Sequence, residues 1–176
     1  AGEEAQALVA RLTRSLITSN IHLIYKKIDS TLKGPWCQEL DALMSVLRPD
    51  LTIVAPAFPN WGRIIRGGKL FLKQQNLPLD SAKDPESLLI YNTDVLASLQ
   101  AQFGSRVKLL NRKLLQQTPA TINKHIQAVR SKKHNVLLCD VESTKDLEKL
   151  ALTGRHLNVN VLWVGSAGLA RFLPII

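Results

Sequence analysis

The sequence predicts a three-layer α/β fold: a mostly parallel, doubly wound sheet with helices on both faces and a β-hairpin inserted near residues 63–72. Three observations carry this. Short runs rich in Ile, Leu and Val, of the kind a strand buried on both faces requires, recur at 21–24, 51–55, 107–110, 136–139 and 159–164. Stretches with helical spacing separate them, and strand–helix alternation at this length argues for parallel pairing. Gly67-Gly68 stands between two short apolar stretches, where two residues at positive φ close a tight hairpin.

Each element follows from local chemistry. Residues 3–17 carry Leu8, Leu12, Leu16 and Ile17 at helical spacing, with Glu3 and Glu4 in the first turn where the helix dipole favours acids. The run at 21–24 reads as the first strand. Leu40, Leu43, Met44 and Leu47 keep helical spacing over 38–47, and Pro49-Asp50 ends that helix before the strand at 51–55. A right-handed crossover in this βαβ unit makes the strands parallel and brings the turns at Asp29 and at 56–59 to one edge of the sheet. The hairpin follows. Residues 74–92 are rich in Pro, Asp, Ser and Asn without a sustained period and read as a long loop, a lid or a docking surface. Then come a helix at 93–102, a strand at 107–110, a helix at 118–131, a strand at 136–139, a helix at 145–157 and a strand at 159–164. Asp140 and Glu142 sit at a strand end; Glu142-Ser143-Thr144 reads first as a helix cap and second as part of a site. No internal repeat, low-complexity tract or linker divides the chain, so 1–176 reads as one domain.

Composition narrows the function classes. With 176 residues, 45% of them hydrophobic, the chain can bury one core. No 18-residue apolar run spans a membrane, and the start, Ala1-Gly2-Glu3-Glu4-Ala5, has neither a basic nor an apolar signal region; a cytoplasmic location is the default reading. Cys37 and Cys139 lie far apart without Cys-x-x-Cys spacing and read as reduced thiols, Cys139 buried. His22, His125, His134 and His156 share no ligand spacing, so no metal site is expected, and no Gly-x-Ser-x-Gly elbow supports Ser/His/Asp catalysis. A net charge of +9 raises the question of nucleic acid. The charges are scattered, however, with Lys132-Lys133-His134 the densest run outside the candidate site, and only 5% of residues are aromatic. A grip on single strands usually interleaves stacking rings with the charge, and a solvated basic surface is the simpler reading.

The chemistry concentrates in Tyr25-Lys26-Lys27-Ile28-Asp29-Ser30-Thr31-Leu32-Lys33-Gly34, a polar cluster directly after an apolar run. Open α/β sheets bind ligands outside the carboxyl ends of such strands. Lys27 and Lys33 are cationic anchors for a carboxylate or phosphate, Ser30 and Thr31 are hydroxyl donors, Asp29 is an acceptor, and Gly34 lets backbone approach a ligand. The same residues also suit a solvated strand end followed by a helix cap, and the decapeptide alone leaves both readings open. Gly165-Ser166-Ala167-Gly168 follows the strongest strand and opens a helix, where amides can cradle an anion or simply pack tightly. Arg63 follows the turn Phe58-Pro59-Asn60-Trp61-Gly62 and offers a fork to a carboxylate or to a surface acid; Trp61 either stacks on a ligand or covers the hairpin.

The decapeptide resembles the Lys-x-Asp-Ser-Thr-Leu-Arg-Gly motif of the four-carbon acid sugar kinases, ATP-dependent enzymes once known only as a domain of unknown function. Residues 54–63, Val-Ala-Pro-Ala-Phe-Pro-Asn-Trp-Gly-Arg, and 162–170, Leu-Trp-Val-Gly-Ser-Ala-Gly-Leu-Ala, extend the resemblance in the same order across nearly the whole chain. Three ordered motifs are far more specific than one glycine pattern.

The resemblance implies that the chain is a partial substrate-binding domain of a two-domain kinase. The family's Asp-rich, Thr-Gly-containing loop and its nucleotide-binding domain lie outside these 176 residues. The implied reaction moves the γ-phosphoryl of ATP, with Mg2+, to a terminal hydroxyl of a threonate-like or erythronate-like acid, both cofactors being held through the absent domain. It also implies roles: Arg63, Lys27 and Lys33 for the carboxylate and developing charge, Ser30 and Thr31 for hydroxyls, Asp29 to orient or deprotonate the attacking hydroxyl, and Ser166 and Gly168 as nucleotide contacts. Lys83-Asp84-Pro85 matches a segment near the substrate. Lys33 and Pro35 depart from the family's Arg and Asn, so a fork and an amide are lost and either substrate choice has shifted or the site has decayed. The expected partner is a small sugar acid, with a homodimer compatible. The rivals are a non-catalytic sugar-acid-binding module and a basic nucleic-acid-binding domain.

Overall fold

The computed structural model describes residues 2–17, 23–73 and 88–173, with residues 73 and 88–92 described in backbone only. Five parallel strands build the main sheet: β1 (Ile24–Lys27), β2 (Leu51–Ala55), β6 (Val107–Leu110), β7 (Val136–Cys139) and β8 (Val161–Gly165), in the order β1-β8-β2-β7-β6. The chain steps one way across the sheet from β1 to β2 to β6 and then returns through β7 to β8. Right-handed crossovers therefore place α2 (Trp36–Leu47) and α3 (Val95–Phe103) on one face, where α1 (Gly2–Leu16) packs on α2. They place α4 (Arg112–Leu115), α5 (Pro119–Ser131) and α6 (Thr144–Arg155) on the other. This is the expected doubly wound, three-layer architecture.

The core lies where that pattern requires it. Every residue of β2 and β7, the central strands, is buried, and Leu40, Ile53, Leu99, Leu137 and Leu150 fill the space between sheet and helices. Helix starts are capped by side chains that satisfy first-turn amides: Asp94 accepts from Ala97, Asn111 from Leu114 and Thr118 from Thr121. Ser143 and Asp146 form a reciprocal capping box at α6, in keeping with the cap reading of 142–144.

Beyond small shifts of element ends, such as β8 at 161–165 rather than 159–164, and the added short helix α4, the structure departs from the sequence reading at four places. The first strand lies at 24–27 rather than 21–24. At a sheet edge only one side of the strand is paired, so Lys26 can swing to Glu39, 2.7 Å away, and Lys27 can face solvent. Residues 21–22 are outside the described residues, as is Lys83-Asp84-Pro85. Second, the hairpin β3 (Arg63–Arg66) and β4 (Lys69–Lys73) gains a third antiparallel strand, β5 (Leu88–Asp94), from the segment read as loop. Third, the helix after it starts at Val95 because Asp94 is its cap. Fourth, the Leu8, Leu12, Leu16 and Ile17 stripe of α1 is exposed, Leu16 at 62%. The helix leans on α2 through Val9, Thr13 and a Gln6–Asp41 hydrogen bond of 3.2 Å.

Gly165 closes the sheet beside the candidate site. It pairs with Lys27 on one side and Ala55 on the other, and a Cβ there would sit 2.6 Å from the Ala55 carbonyl oxygen and 2.9 Å from Tyr25 Oη. Backbone in a central parallel ladder cannot yield. Gly165→Ala is expected to cost about 2 kcal/mol, as overpacking does. At this chain length that lowers Tm by roughly 4–8 °C in a thermal melt; an unchanged Tm would show that the strands separate freely.

Candidate functional site

The carboxyl ends of β1, β8, β2 and β7 lie side by side, and the chain leaves them alternately toward opposite faces. Diverging loops open a crevice at such a position. Its floor is stitched by the loops themselves. Ile28 N donates to Gly165 O (2.8 Å), Tyr25 Oη donates to Ser166 O (2.5 Å), and Ser166 Oγ donates to Ala57 O (2.8 Å) while accepting from Gly168 N (3.1 Å). Ser166 is only 1% exposed, and a Cβ on Gly168 would lie 2.8 Å from Ala57 O. Both residues thus hold the loop after β8 against the loop after β2. The helix they open, α7 (Ala167–Ala170), is a single turn.

The loop after β1 carries Lys27, Asp29, Ser30, Thr31 and Lys33 together. Its conformation is set by Asp29. Thr31 Oγ1 donates to the Asp29 carboxylate, the Asp29 carbonyl accepts from Leu32 N at 3.0 Å, and the amides of Thr31 and Lys33 also face the carboxylate. The Thr31 hydroxyl, then those amides and the Lys27 charge, hold the Asp29 carboxyl below the usual carboxylate range against the opposing effect of burial. Leu32 adopts φ 60° and is buried, while Gly34 at φ 87° returns the chain to α2. A buried leucine in the left-handed region requires such a network to hold it there. Lys27 and Lys33 are exposed, and Ser30 and Thr31 half-buried.

The loop after β2 presents Arg63. Phe58 and Arg63 exchange backbone hydrogen bonds of 2.8 and 3.1 Å around the turn Pro59–Trp61, which Gly62 closes at φ 70°. Trp61 is 62% exposed and does not cover the hairpin; its ring lies 5.8 Å from the Arg63 guanidinium. Arg63 Nη1 donates to Trp61 O at 2.7 Å, whereas its buried Nε has no partner. The ion pairs among the described residues engage Lys26, Arg66, Arg112 and Arg130, and neither Arg63 nor Lys33.

The loop after β7 is the part the sequence reading left undervalued. Buried Asp140 accepts from Gly67 N (3.0 Å) and Gly68 N (2.9 Å), Glu142 pairs with Arg66 (2.5 Å), and Thr144 Oγ1 donates to Asn60 Oδ1 (2.5 Å). The only available signal was the strand-end position of two acids. Cys37 and Cys139 are free thiols, Cys139 buried, and burial pushes the Cys37 thiol up to about 12. Among the described residues no group of three His, Cys, Asp or Glu side chains gathers to hold a metal, and no helix is long and apolar enough to cross a membrane.

An open parallel sheet whose carboxyl edge gathers unpaired cations and hydroxyls has the make-up of a domain that takes a small anionic ligand. The chain belongs to the sugar-binding N-terminal domain family, whose model matches residues 1–173. It is 39% identical over 150 residues to a D-threonate kinase of Cupriavidus necator, covering 85% of this chain and 35% of that enzyme. A D-erythronate kinase of Heliobacterium modesticaldum is 33% identical over 155 residues, covering 86% of this chain and 35% of that enzyme. Among solved structures, a Bordetella bronchiseptica domain of unknown function, crystallised with bound citrate as a domain-swapped dimer, superposes with a TM-score of 0.72 at 28% identity over 99% of this chain and 42% of its own. The chain spans little more than a third of the length of these relatives.

The Asp29 network yields a pH test. Because the folded pKa of Asp29 lies below the unfolded value of about 3.9, its stabilisation is present above that value and lost as pH falls through the folded one. Thr31→Val is expected to be less stable than the parent at neutral pH by up to about 1 kcal/mol, solvent screening keeping the effect small. Urea titrations at descending pH should see the gap close below the ordinary carboxylate range. A gap that ignores pH would uncouple Thr31 from Asp29.

Proposed function

We propose that the chain is the sugar-acid-binding part of an ATP-dependent kinase that phosphorylates a four-carbon acid sugar of the threonate and erythronate class on its terminal hydroxyl. One observation carries the reading within the chain: Arg63 is held by Trp61 at one nitrogen and leaves a buried Nε without an acceptor, beside a loop with two exposed lysines. A carboxylate supplies that acceptor through two parallel hydrogen bonds. The named kinases among the relatives support the substrate class, and the citrate held by the Bordetella relative supports an acid ligand of this size.

In this reading Arg63 fixes the carboxylate and Lys27 and Lys33 supply the field that favours charge on the transferred group. Ser30 and Thr31 bond the sugar hydroxyls. Asp29, ionised and anchored by its own loop, orients the attacking hydroxyl; a carboxylate held below its usual range is a poor proton abstractor. Phosphoryl transfer rests on positioning and charge neutralisation, and these are what the residues offer.

Neither cofactor is assigned to this chain. Ser166 Oγ and Gly168 N bond inward, and no metal-binding carboxylate group forms among the described residues. In this reading ATP and Mg2+ are held by the part of a longer kinase outside these residues, as relatives of which this chain spans 35% suggest. A homodimer and a cytoplasmic setting complete the proposal.

Calorimetric titration with D-threonate, D-erythronate and citrate tests it. Arg63→Ala is expected to weaken the bound acid by about tenfold or more, the worth of a charged hydrogen-bonded pair. Equal affinity in parent and variant, in this chain and in a full-length relative carrying the same change, would remove Arg63 from the site.

A further inference from the structure

Three features outside the assigned site compete as leads. The exposed leucine stripe of α1 has nothing in the structure to say what covers it, and in the open surface cleft at Asp50, Gln127, Arg130 and Ser131 the two charged groups already pair with each other at 3.7 Å. In the loop after β7, by contrast, the side chains of Asp140, Glu142 and Thr144 all end on the segment that holds Arg63.

Four contacts fasten residues 58–68 to residues 140–144. Ile65 and Val141 exchange backbone hydrogen bonds of 2.8 and 2.9 Å; Arg66 pairs with Glu142; Asn60 accepts from Thr144; and the amides of Gly67 and Gly68 both donate to Asp140. The hairpin turn, with both glycines at positive φ, thus closes over one carboxylate that is 4% exposed. A Cβ at Gly68 would lie 2.7 Å from Leu96 Cβ, so the tip is also wedged against α3. A hairpin of this kind needs no buried charge to turn, and burying one is costly. Burial indeed pushes the Asp140 carboxyl up, with the two glycine amides opposing it and Glu142 adding to it. What the carboxylate achieves is placement. β3 runs from Arg63 to the Gly67 turn, roughly 13 Å at the rise of an extended strand, so fixing its tip fixes the direction in which Arg63 leaves the sheet.

We infer that Asp140 is a positioning residue for Arg63, holding the β3–β4 hairpin at its tip so that the guanidinium is set for a carboxylate ligand. The inference rests on the reading of Arg63 as the carboxylate anchor. Asp140 itself touches no ligand. A site of this kind loses effect when its supporting contacts let the binding group drift by about half an ångström.

The test is a double-mutant cycle with citrate and D-threonate as probes, together with two measurements on the ligand-free chain. Asp140→Asn keeps the shape of the side chain and removes one acceptor and the charge. Its affinity for the acid is expected to fall about tenfold, whereas in an Arg63→Ala background the same change should alter affinity by less than about twofold. Without ligand, the Gly67 and Gly68 amides should exchange at least about tenfold faster, α6 amides should be unchanged, and the Arg63 Nε resonance, shifted by the Trp61 ring, should move. Should Asp140→Asn not fold, Glu142→Gln, a partly exposed change on the same loop, is expected to give an Arg63-dependent loss of about threefold. Equal losses in both Arg63 backgrounds, or an Arg63 resonance that stays in place, would overturn the inference even if the acids bind. A parent chain that binds neither acid, or an Arg63→Ala variant that binds as the parent does, would instead overturn the reading of Arg63. The resonance and exchange data would still decide whether Asp140 positions it.

Discussion

The meeting of β8 with β1 and β2 is the constraint on which the rest depends. β8 is the last of the described strands yet sits between the first two, so the three motifs at 25–34, 54–63 and 162–170 meet only once the whole sheet has formed. That insertion tolerates no side chain at Gly165, where the Ala55 carbonyl stands 2.6 Å from the place a Cβ would occupy. One residue later Ser166 bonds Ala57 and Tyr25 bonds Ser166, and these contacts convert strand ends into fixed loops. Lys27, Asp29 and Arg63 inherit their relative places from that closure rather than from contacts with one another.

Acids and bases divide the labour at this edge. Asp29 faces the amides of Thr31 and Lys33, Asp140 those of Gly67 and Gly68, and Asp146 those of Glu142 and Ser143. Each carboxylate serves as an anion for its own backbone and so organises a loop. For Asp146, burial is outweighed by the Glu142 amide and Arg112, and the carboxyl stays below its ordinary range; for Asp140, burial prevails and the carboxyl rises. The consequence is an edge whose carboxylates are internally satisfied while Arg63 and Lys33 have no ion pair among the described residues.

Much of this was legible in the sequence where local pattern and long-range packing agree. The runs at 51–55, 107–110 and 136–139 are strands as read, because a strand buried on both faces leaves an unbroken apolar signature. The cap at Ser143 was legible for the same reason, its chemistry being local. Where an element answers to its neighbours, the pattern misled. β1 could begin three residues late because an edge strand accommodates lysines, and β5 was hidden because its pairing with β4 is settled by tertiary contact while its flanking Pro, Asp and Asn speak for a loop. The α1 stripe has perfect helical spacing and still faces away from the described core, since periodicity fixes a helix and not its partner. The residues singled out for the candidate site do lie at one edge of the sheet. The role of Asp140 did not emerge, because nothing in a sequence tells which amides a strand-end acid will meet.

The two departures from the family motif act in the same physical direction. Lys33 keeps the charge of the arginine in the motif it resembles, but as a flexible point charge without a planar fork, and it stands exposed with no acceptor among the described residues. Pro35 occupies the residue before α2 and makes no side-chain cap, as a proline cannot, so the first amides of α2 go without the cap an asparagine would provide. An uncapped helix start beside Gly34 and an unpaired lysine both favour negative charge, and neither dictates the angle at which it is held. In the proposed reading the geometric demand on a ligand shifts to Arg63, whose guanidinium bonds the Trp61 carbonyl and whose strand is tied to the loop after β7. On that proposal the loop after β1 contributes field, and the loop after β2 contributes direction.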